Sequence, residues 1–158
     1  MGKQVIDATT HSRAPRDVVW NILADGRSWS RWGPWTKSEL DREGSPPPGG
    51  VGSIKRLARG WMTIREEVTE FEPPSRYGYR LLSGLPVRDY RAQVTLSDAA
   101  DGTEIHWHSE FDARFPGTGG LVRRSLQRAV GDVASRLAAE AERRAGTVTR
   151  MTRGREGQ

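Results

Sequence analysis

The chain contains no cysteine. Disulfides, thiolate metal centres and cysteine nucleophiles are therefore excluded together. It also lacks a run of about 18 apolar residues, the length a membrane-crossing helix requires. The opening Met1-Gly2-Lys3-Gln4 has no apolar stretch of the kind a signal peptide carries, and Ile6 stands where a myristoylation signal needs Ser or Thr. A cytoplasmic location is expected. Histidine is scarce, limited to His11, His106 and His108, and no Ser lies in a Gly-x-Ser-x-Gly elbow. Only 35% of the residues are hydrophobic, yet six are Trp, so the apolar area is concentrated in a few large rings. At 158 residues the length suits one domain with a sizeable core.

What is present in excess is arginine. The net charge is +5, and of 25 basic residues only three are Lys. Many lie late, among them Arg123, Arg124, Arg128, Arg136, Arg143, Arg144, Arg150, Arg153 and Arg155. Such a patch suits an interaction module meeting nucleic acid or anionic lipid. A solvated helix face followed by a frayed tail is the favoured account, and nucleic acid is not the expected partner.

Hydrophobic periodicity orders the elements. Lys3–Ser12 reads as a strand. Pro15 opens a helix carrying Val18, Val19, Trp20, Ile22 and Leu23, and Asp25-Gly26 stops it. A second short helix covers Arg27–Arg31, and Trp35–Arg42 reads as a strand. The Pro- and Gly-rich Glu43–Gly52 is a loop. Then come strands at Ser53–Ala58, Trp61–Phe71, Arg76–Leu82, Asp89–Leu96 and Thr103–Asp112, joined by short turns as in an antiparallel meander. From about Leu121 to Arg144 runs a long amphipathic helix with Val122, Leu126, Ala129, Val130, Val133, Leu137 and Ala141 on one stripe. Residues 1–145 are expected to form the domain, and the basic segment 146–158, which shows no period, to be disordered. The expected class is α+β: a curved antiparallel sheet of about seven strands wrapped round the long helix. A curved sheet cannot stay flush with a straight helix along its length, so an internal cavity at one end follows.

The strand at Thr103–Asp112 sets the inward phase. Ile105, Trp107 and Phe111 share one face, while Glu104, His106, His108, Glu110 and Asp112 share the other. By the same alternation Tyr90 and Val94, Tyr77, Tyr79 and Leu81, and Ile64 join the cavity wall, with Leu126, Val130 and Val133 facing them from the helix. Trp29, Trp32 and Trp35 either anchor the short helix or line the cavity mouth. Glu66 falls in the apolar phase of Ile64 and Val68. Burial there would raise its pKa toward the range of a useful acid or base, unless a bulge sends it to solvent or Arg56 pairs with it. Arg56 is in phase with Ile54 and Ala58, and an inward Arg could clamp an enolate or carboxylate. Lys55 takes the opposite phase, and Arg56 drops out if that phase is the inward one. His106-x-His108 resembles a metal pair but opposes Trp107, so no metal and no cofactor are expected. Gly117-x-Gly119-Gly120 lacks the strand and the ending of a phosphate loop. The segment Pro116–Gly120 is expected to act as a gate.

Taken in order, Ala14-Pro15 with Val18-Val19-Trp20, the Trp29–Trp35 segment, Val51-Gly52, Glu67-Val68-Thr69-Glu70-Phe71-Glu72-Pro73-Pro74, Tyr79, Tyr90, and Gly102-Thr103 with Trp107 and Phe111 resemble the START-like, or SRPBCC, superfamily. The likeness is strongest to its polyketide cyclase/dehydrase and lipid transport branch and spans about residues 3–144. It implies a helix-grip fold with a deep hydrophobic cavity. It also implies binding or transport of a hydrophobic small molecule (lipid, polyketide or aromatic); a monomer or homodimer is expected. The alternative it carries is a polyketide aromatase/cyclase, for which Arg56, Tyr79 and Glu66 are the candidate catalytic groups.

Overall fold

The computed structural model describes residues 2–156. Their order is β1 (Gln4–Ser12), α1 (Arg16–Leu23), a 3-10 turn (Gly26–Ser28), α2 (Trp29–Trp32), β2 (Lys37–Arg42), β3 (Ile54–Arg59), β4 (Met62–Glu72), β5 (Arg76–Ser83), β6 (Val87–Ala99), β7 (Gly102–Ala113) and α3 (Gly119–Glu156). The seven strands form one antiparallel sheet in the order β1-β7-β6-β5-β4-β3-β2. Each strand from β2 to β7 pairs with its neighbour in sequence, and β1 returns to pair with β7. The intervening α1 and α2 make the long connection that this return requires.

The α+β helix-grip arrangement is present. Inward residues alternate along each strand: Ile105, Trp107, Ser109 and Phe111 on β7, Tyr90, Ala92, Val94 and Leu96 on β6, and Ile64, Glu66 and Val68 on β4 are all buried. Helix α3 seals one end of this concave face. Its Ala134, Leu137, Ala138 and Ala141 are buried, and Ser12 donates to the Ala138 carbonyl at 2.8 Å. Burial of a side chain such as Leu137 contributes about 1.5–3 kcal/mol. About two to four turns earlier the helix stands off: Leu126 is only partly buried and Leu121 is exposed. The gap between straight helix and curved sheet opens there.

The helix does not end near Arg144. It runs to Glu156, through the segment expected to be disordered; Gly157 and Gln158 lie outside the described residues. Extending a formed helix fixes one residue for each hydrogen bond gained, whereas starting one is costly. Gly146 therefore slows propagation without stopping it, and no proline follows to break the helix. Among the described residues, no helix is long and apolar enough to cross a membrane.

Candidate functional site

Strands β3 and β4 place a charged pair inside the sheet. Lys55 lies directly opposite Glu66 in the antiparallel register, where side chains on one face come within reach of each other. Lys55 is 1% and Glu66 5% exposed. Lys55 Nζ donates to the Tyr77 hydroxyl at 3.1 Å and stands 3.4 Å from Glu66 Oε1. It also lies over three rings, 4.1 Å from the Trp29 centroid, 4.3 Å from Tyr79 and 5.1 Å from Tyr77. Desolvated cation–π contacts of this kind are worth about 2 kcal/mol. The 3-10 turn makes room for the Lys55 stem: a Cβ at Gly26 would sit 3.4 Å from Lys55 Cβ and 3.0 Å from Leu40 Cδ2.

These contacts set the protonation states. Desolvation works against the Lys55 ammonium, but the Tyr77 and Glu66 oxygens outweigh it and hold its pKa above the usual lysine value. Burial raises the Glu66 pKa above the ordinary carboxylate range, with Lys55 opposing that rise. Glu66 Oε1 is buried and has no hydrogen-bond partner among the described residues, so its 3.4 Å contact with Lys55 is an ion pair of imperfect geometry. Burial likewise pushes up the pKa of Tyr79, further than the Trp107 Nε1 hydrogen bond lowers it. That indole donates to the Tyr79 hydroxyl at 3.2 Å. Burial takes Tyr90 to about 12, and its hydroxyl is 2.9 Å from Ser109 Oγ.

Glu66 forms part of the wall of a cavity of about 240 Å³ beneath the raised half of α3. Its other lining residues are Trp29, Trp35, Ile64, Tyr79, Tyr90 and Trp107 from the expected set, with Leu126, Val130 and Val133 from the helix. Pro34, Arg59, Met62, Leu85, Ser125 and Ala129 complete it. Arg59, Ser125 and Ala129 are exposed and Pro34, Trp35, Met62, Leu85 and Leu126 half-buried, which places the open side between α3, the α2–β2 connection and the β3–β4 and β5–β6 turns. A wider surface groove of about 540 Å³, between Arg13–Pro15 and Glu142, Ala145 and Gly146, lies away from the charged pair.

Several expected positions fall elsewhere. Arg56 points outward, pairing with Glu39 and, at 3.6 Å, with Asp41. Lys55 and Leu57 take the inward phase on β3, which also carries Ile54 to the outer face, where it is buried but outside the main core. A single strand has two candidate phases, and here both contain charge. The register to Glu66 decides between them. A bulge of the kind that could eject Glu66 exists, between Arg65 and Glu66 in the pairing with β5, but Glu66 remains inside. Tyr77, Val94 and Phe111 are buried in the core behind the cavity wall, Leu81 packs at the core's edge, and Trp32 packs against Trp29 with ring centroids 5.3 Å apart. Of the three clustered tryptophans, Trp29 and Trp35 line the cavity and Trp32 is core. No residue of Pro116–Gly120 lines it, so the expected gate is not at its mouth. Lys55 is the member of the buried pair that the sequence candidates left out. The signal available was Glu66 itself, since an inward carboxylate demands an inward cation on the next strand.

The protein-family model described as polyketide cyclase/dehydrase and lipid transport matches residues 3–142. No curated protein matches the sequence. Among solved structures, the Zhui aromatase/cyclase from Streptomyces sp. R1128 is similar at TM-score 0.72 and 23% identity, covering 90% of this chain and 96% of that one. The di-domain ARO/CYC StfQ of the steffimycin biosynthetic pathway gives TM-score 0.75 at 13% identity, over 91% of this chain and 52% of that one, so this chain spans about half of it. The protein XoxI from Bacillus cereus gives 0.70 at 16% identity, over 89% and 95%. At these identities the structures establish a shared fold, and the family match covers nearly the whole sequence. The chain belongs to the polyketide cyclase/dehydrase and lipid transport family.

Proposed function

We propose that this protein binds a compact, largely apolar small molecule bearing one hydroxyl or similar polar group in the cavity under α3. The observation that carries this reading is Glu66, a buried carboxyl group lining an apolar cavity, whose Oε1 faces Lys55 at 3.4 Å and has no hydrogen-bond partner among the described residues. A buried acceptor left unsatisfied costs about 1–3 kcal/mol, and a ligand hydroxyl would recover it. Whether Glu66 is ionised or protonated, a hydroxyl can serve as its partner. Size narrows the class. An apolar cavity of about 150 Å³ holds benzene, and pockets for drug-sized ligands begin near 300 Å³. The cavity of about 240 Å³ therefore suits one or two fused rings better than an extended chain. Trp29, Trp35, Tyr79 and Trp107 offer ring faces and edges for stacking.

A cyclase reading rests on the same pair. Aldol closure of a poly-ketone needs a base to remove a proton from carbon and a donor to hold the enolate oxygen. Glu66 would be the base in that reading. Lys55 stands behind the wall, however, already engaged by Tyr77 and Glu66, and Arg56 is outside. The site offers a recognition carboxylate more readily than a paired base and oxyanion donor, and binding is the better supported function.

Native mass spectrometry of the full chain purified from its own host tests this. The expected result is a one-to-one adduct of low mass, absent from Leu126→Trp, which fills the cavity from the helix side. A protein that emerges without any adduct and gives the same spectrum as Leu126→Trp would count against the proposal.

A further inference from the structure

The outer face of β1 and β7 carries a second cluster, unconnected with the cavity. Asp7 lies directly opposite His108 in the antiparallel register, and His106 is the diagonal neighbour two residues along the same face. The three side chains converge. Asp7 Oδ1 is 2.8 Å from His108 Nδ1 and 2.9 Å from His106 Nε2, and the three ligand atoms all lie within 4.8 Å of one another. We propose that Asp7, His106 and His108 form a surface binding site for a single divalent transition-metal ion of the zinc type, with water completing its coordination.

Two imidazole nitrogens and one carboxylate oxygen are a donor set suited to Zn²⁺ and its borderline neighbours rather than to Mg²⁺ or Ca²⁺, which prefer all-oxygen sites. Zinc binds such donors at about 2.0–2.2 Å. Two ligands of a tetrahedral ion then stand a little over 3 Å apart, so the present spacings need only a small opening. The ion would take the place of the protons that now join both rings to Asp7. Support for the ligands is already built. When Nδ1 of a histidine holds a metal, its Nε2–H needs an acceptor to fix the ring, and His108 Nε2 is 3.3 Å from Glu110 Oε1. Glu110 in turn lies 3.7 Å from Lys3 Nζ. The backbone at Asp7 is held from the other side, where Gln127 of α3 donates to its carbonyl at 2.6 Å. All three ligands stand on paired strands, which fix their spacing better than a loop would. Their side chains are between one third and just over one half exposed, so an ion reaches them without any opening of the fold. His11, the remaining histidine, pairs with Asp101 alone among the described residues and provides an internal control.

The test is Zn²⁺ titration of the full chain against a chromophoric chelator, with Co²⁺ absorption as a second readout of coordination. Expected is one equivalent bound, with visible Co²⁺ bands. His106→Ala and His108→Ala should each lose about a hundredfold in affinity or more, Glu110→Ala about tenfold by loosening the ring, and His11→Ala nothing. Asp7→Asn, nearly isosteric and still able to accept a hydrogen bond, guards against a loss that merely reports misfolding, as does circular dichroism of every variant in excess chelator. Failure to bind one equivalent, or equal binding by wild type and the His106→Ala/His108→Ala double variant, would overturn the proposal. A loss in His11→Ala as large as in His108→Ala would do the same.

Discussion

Lys55 and Arg56 are adjacent on one strand and both face a carboxylate on a neighbouring strand, yet they do opposite things. Lys55 meets Glu66 inside the sheet, where both are stripped of water. Arg56 meets Glu39 and Asp41 in solvent. The contrast shows how one residue of register changes what an ion pair is. Outside, each partner can fall back on water, and pairing adds little. Inside, neither can, so removing one strands the other. The inner pair is also imperfectly matched, since Glu66 Oε1 lacks a hydrogen bond. Glu66 also lines a cavity, which Arg56 does not.

The largest effect should come from breaking the inner pair on one side. Lys55→Met leaves Glu66 buried beside apolar rings and should cost about 3–5 kcal/mol in urea denaturation. Replacing both, as Lys55→Met/Glu66→Leu, should recover most of that loss, because the desolvation cost disappears together with the attraction. A double variant as unstable as Lys55→Met would show that the pair is needed for more than mutual compensation. Arg56→Ala should move the urea midpoint far less than Lys55→Met does. Comparable losses would erase the distinction between the two faces.

The pH dependence should separate the faces by sign. Glu66 has a pKa raised by burial, so its contribution to stability is fully present below its unfolded value of 4.5 and is lost as pH rises through the folded pKa. Glu39 has a pKa lowered, first of all by its hydrogen bond from Arg56. Its contribution is present above 4.5 and is lost as pH falls through the folded pKa. Relative to Glu66→Gln, wild type should therefore lose stability with rising pH from about 4.5 upward. Relative to Glu39→Gln, it should lose stability with falling pH below the same point. Urea midpoints between about pH 3 and pH 8 read both trends, and a common sign would contradict the placement.

The smallest effect concerns the outer cluster. His108 has a pKa raised, chiefly by its hydrogen bond to Asp7, and that of Asp7 is lowered mainly by His108. Their mutual support is complete below the unfolded histidine value near 6.5, fades as pH rises through the folded one, and fades again in acid as Asp7 takes up a proton. In excess chelator, the difference in melting temperature between wild type and His108→Gln should be greatest near pH 5 and vanish in alkali.

The two faces also differ in how far they could be read from sequence. Strict alternation around Trp107 and Phe111 gave the inner face of β7, and that face propagated correctly to Tyr79, Tyr90 and Ile64. Alternation failed at Ile54-Lys55-Arg56-Leu57, where each phase holds one apolar residue and one cation. Hydrophobicity alone cannot choose there, and the choice falls to the partner strand through Glu66. The outer cluster was half visible. His106 and His108 announce themselves two residues apart, but the third member comes from β1, about a hundred residues earlier, and only the strand pairing brings Asp7 to them. The end of α3 was misplaced because composition was asked to stop a helix that had already formed.

The central claim is that Glu66 offers an unfilled hydrogen-bond position to a compact apolar ligand. Calorimetric titration with 2-naphthol and with naphthalene tests it most directly, in wild type and in Lys55→Met/Glu66→Leu. The two probes differ only in the hydroxyl. A hydrogen bond to a buried carboxyl group is worth about 1.5–3 kcal/mol, so wild type should prefer 2-naphthol by about tenfold or more, and the double variant should bind both alike. Equal affinity of wild type for the two probes, or no binding of either, would contradict the account.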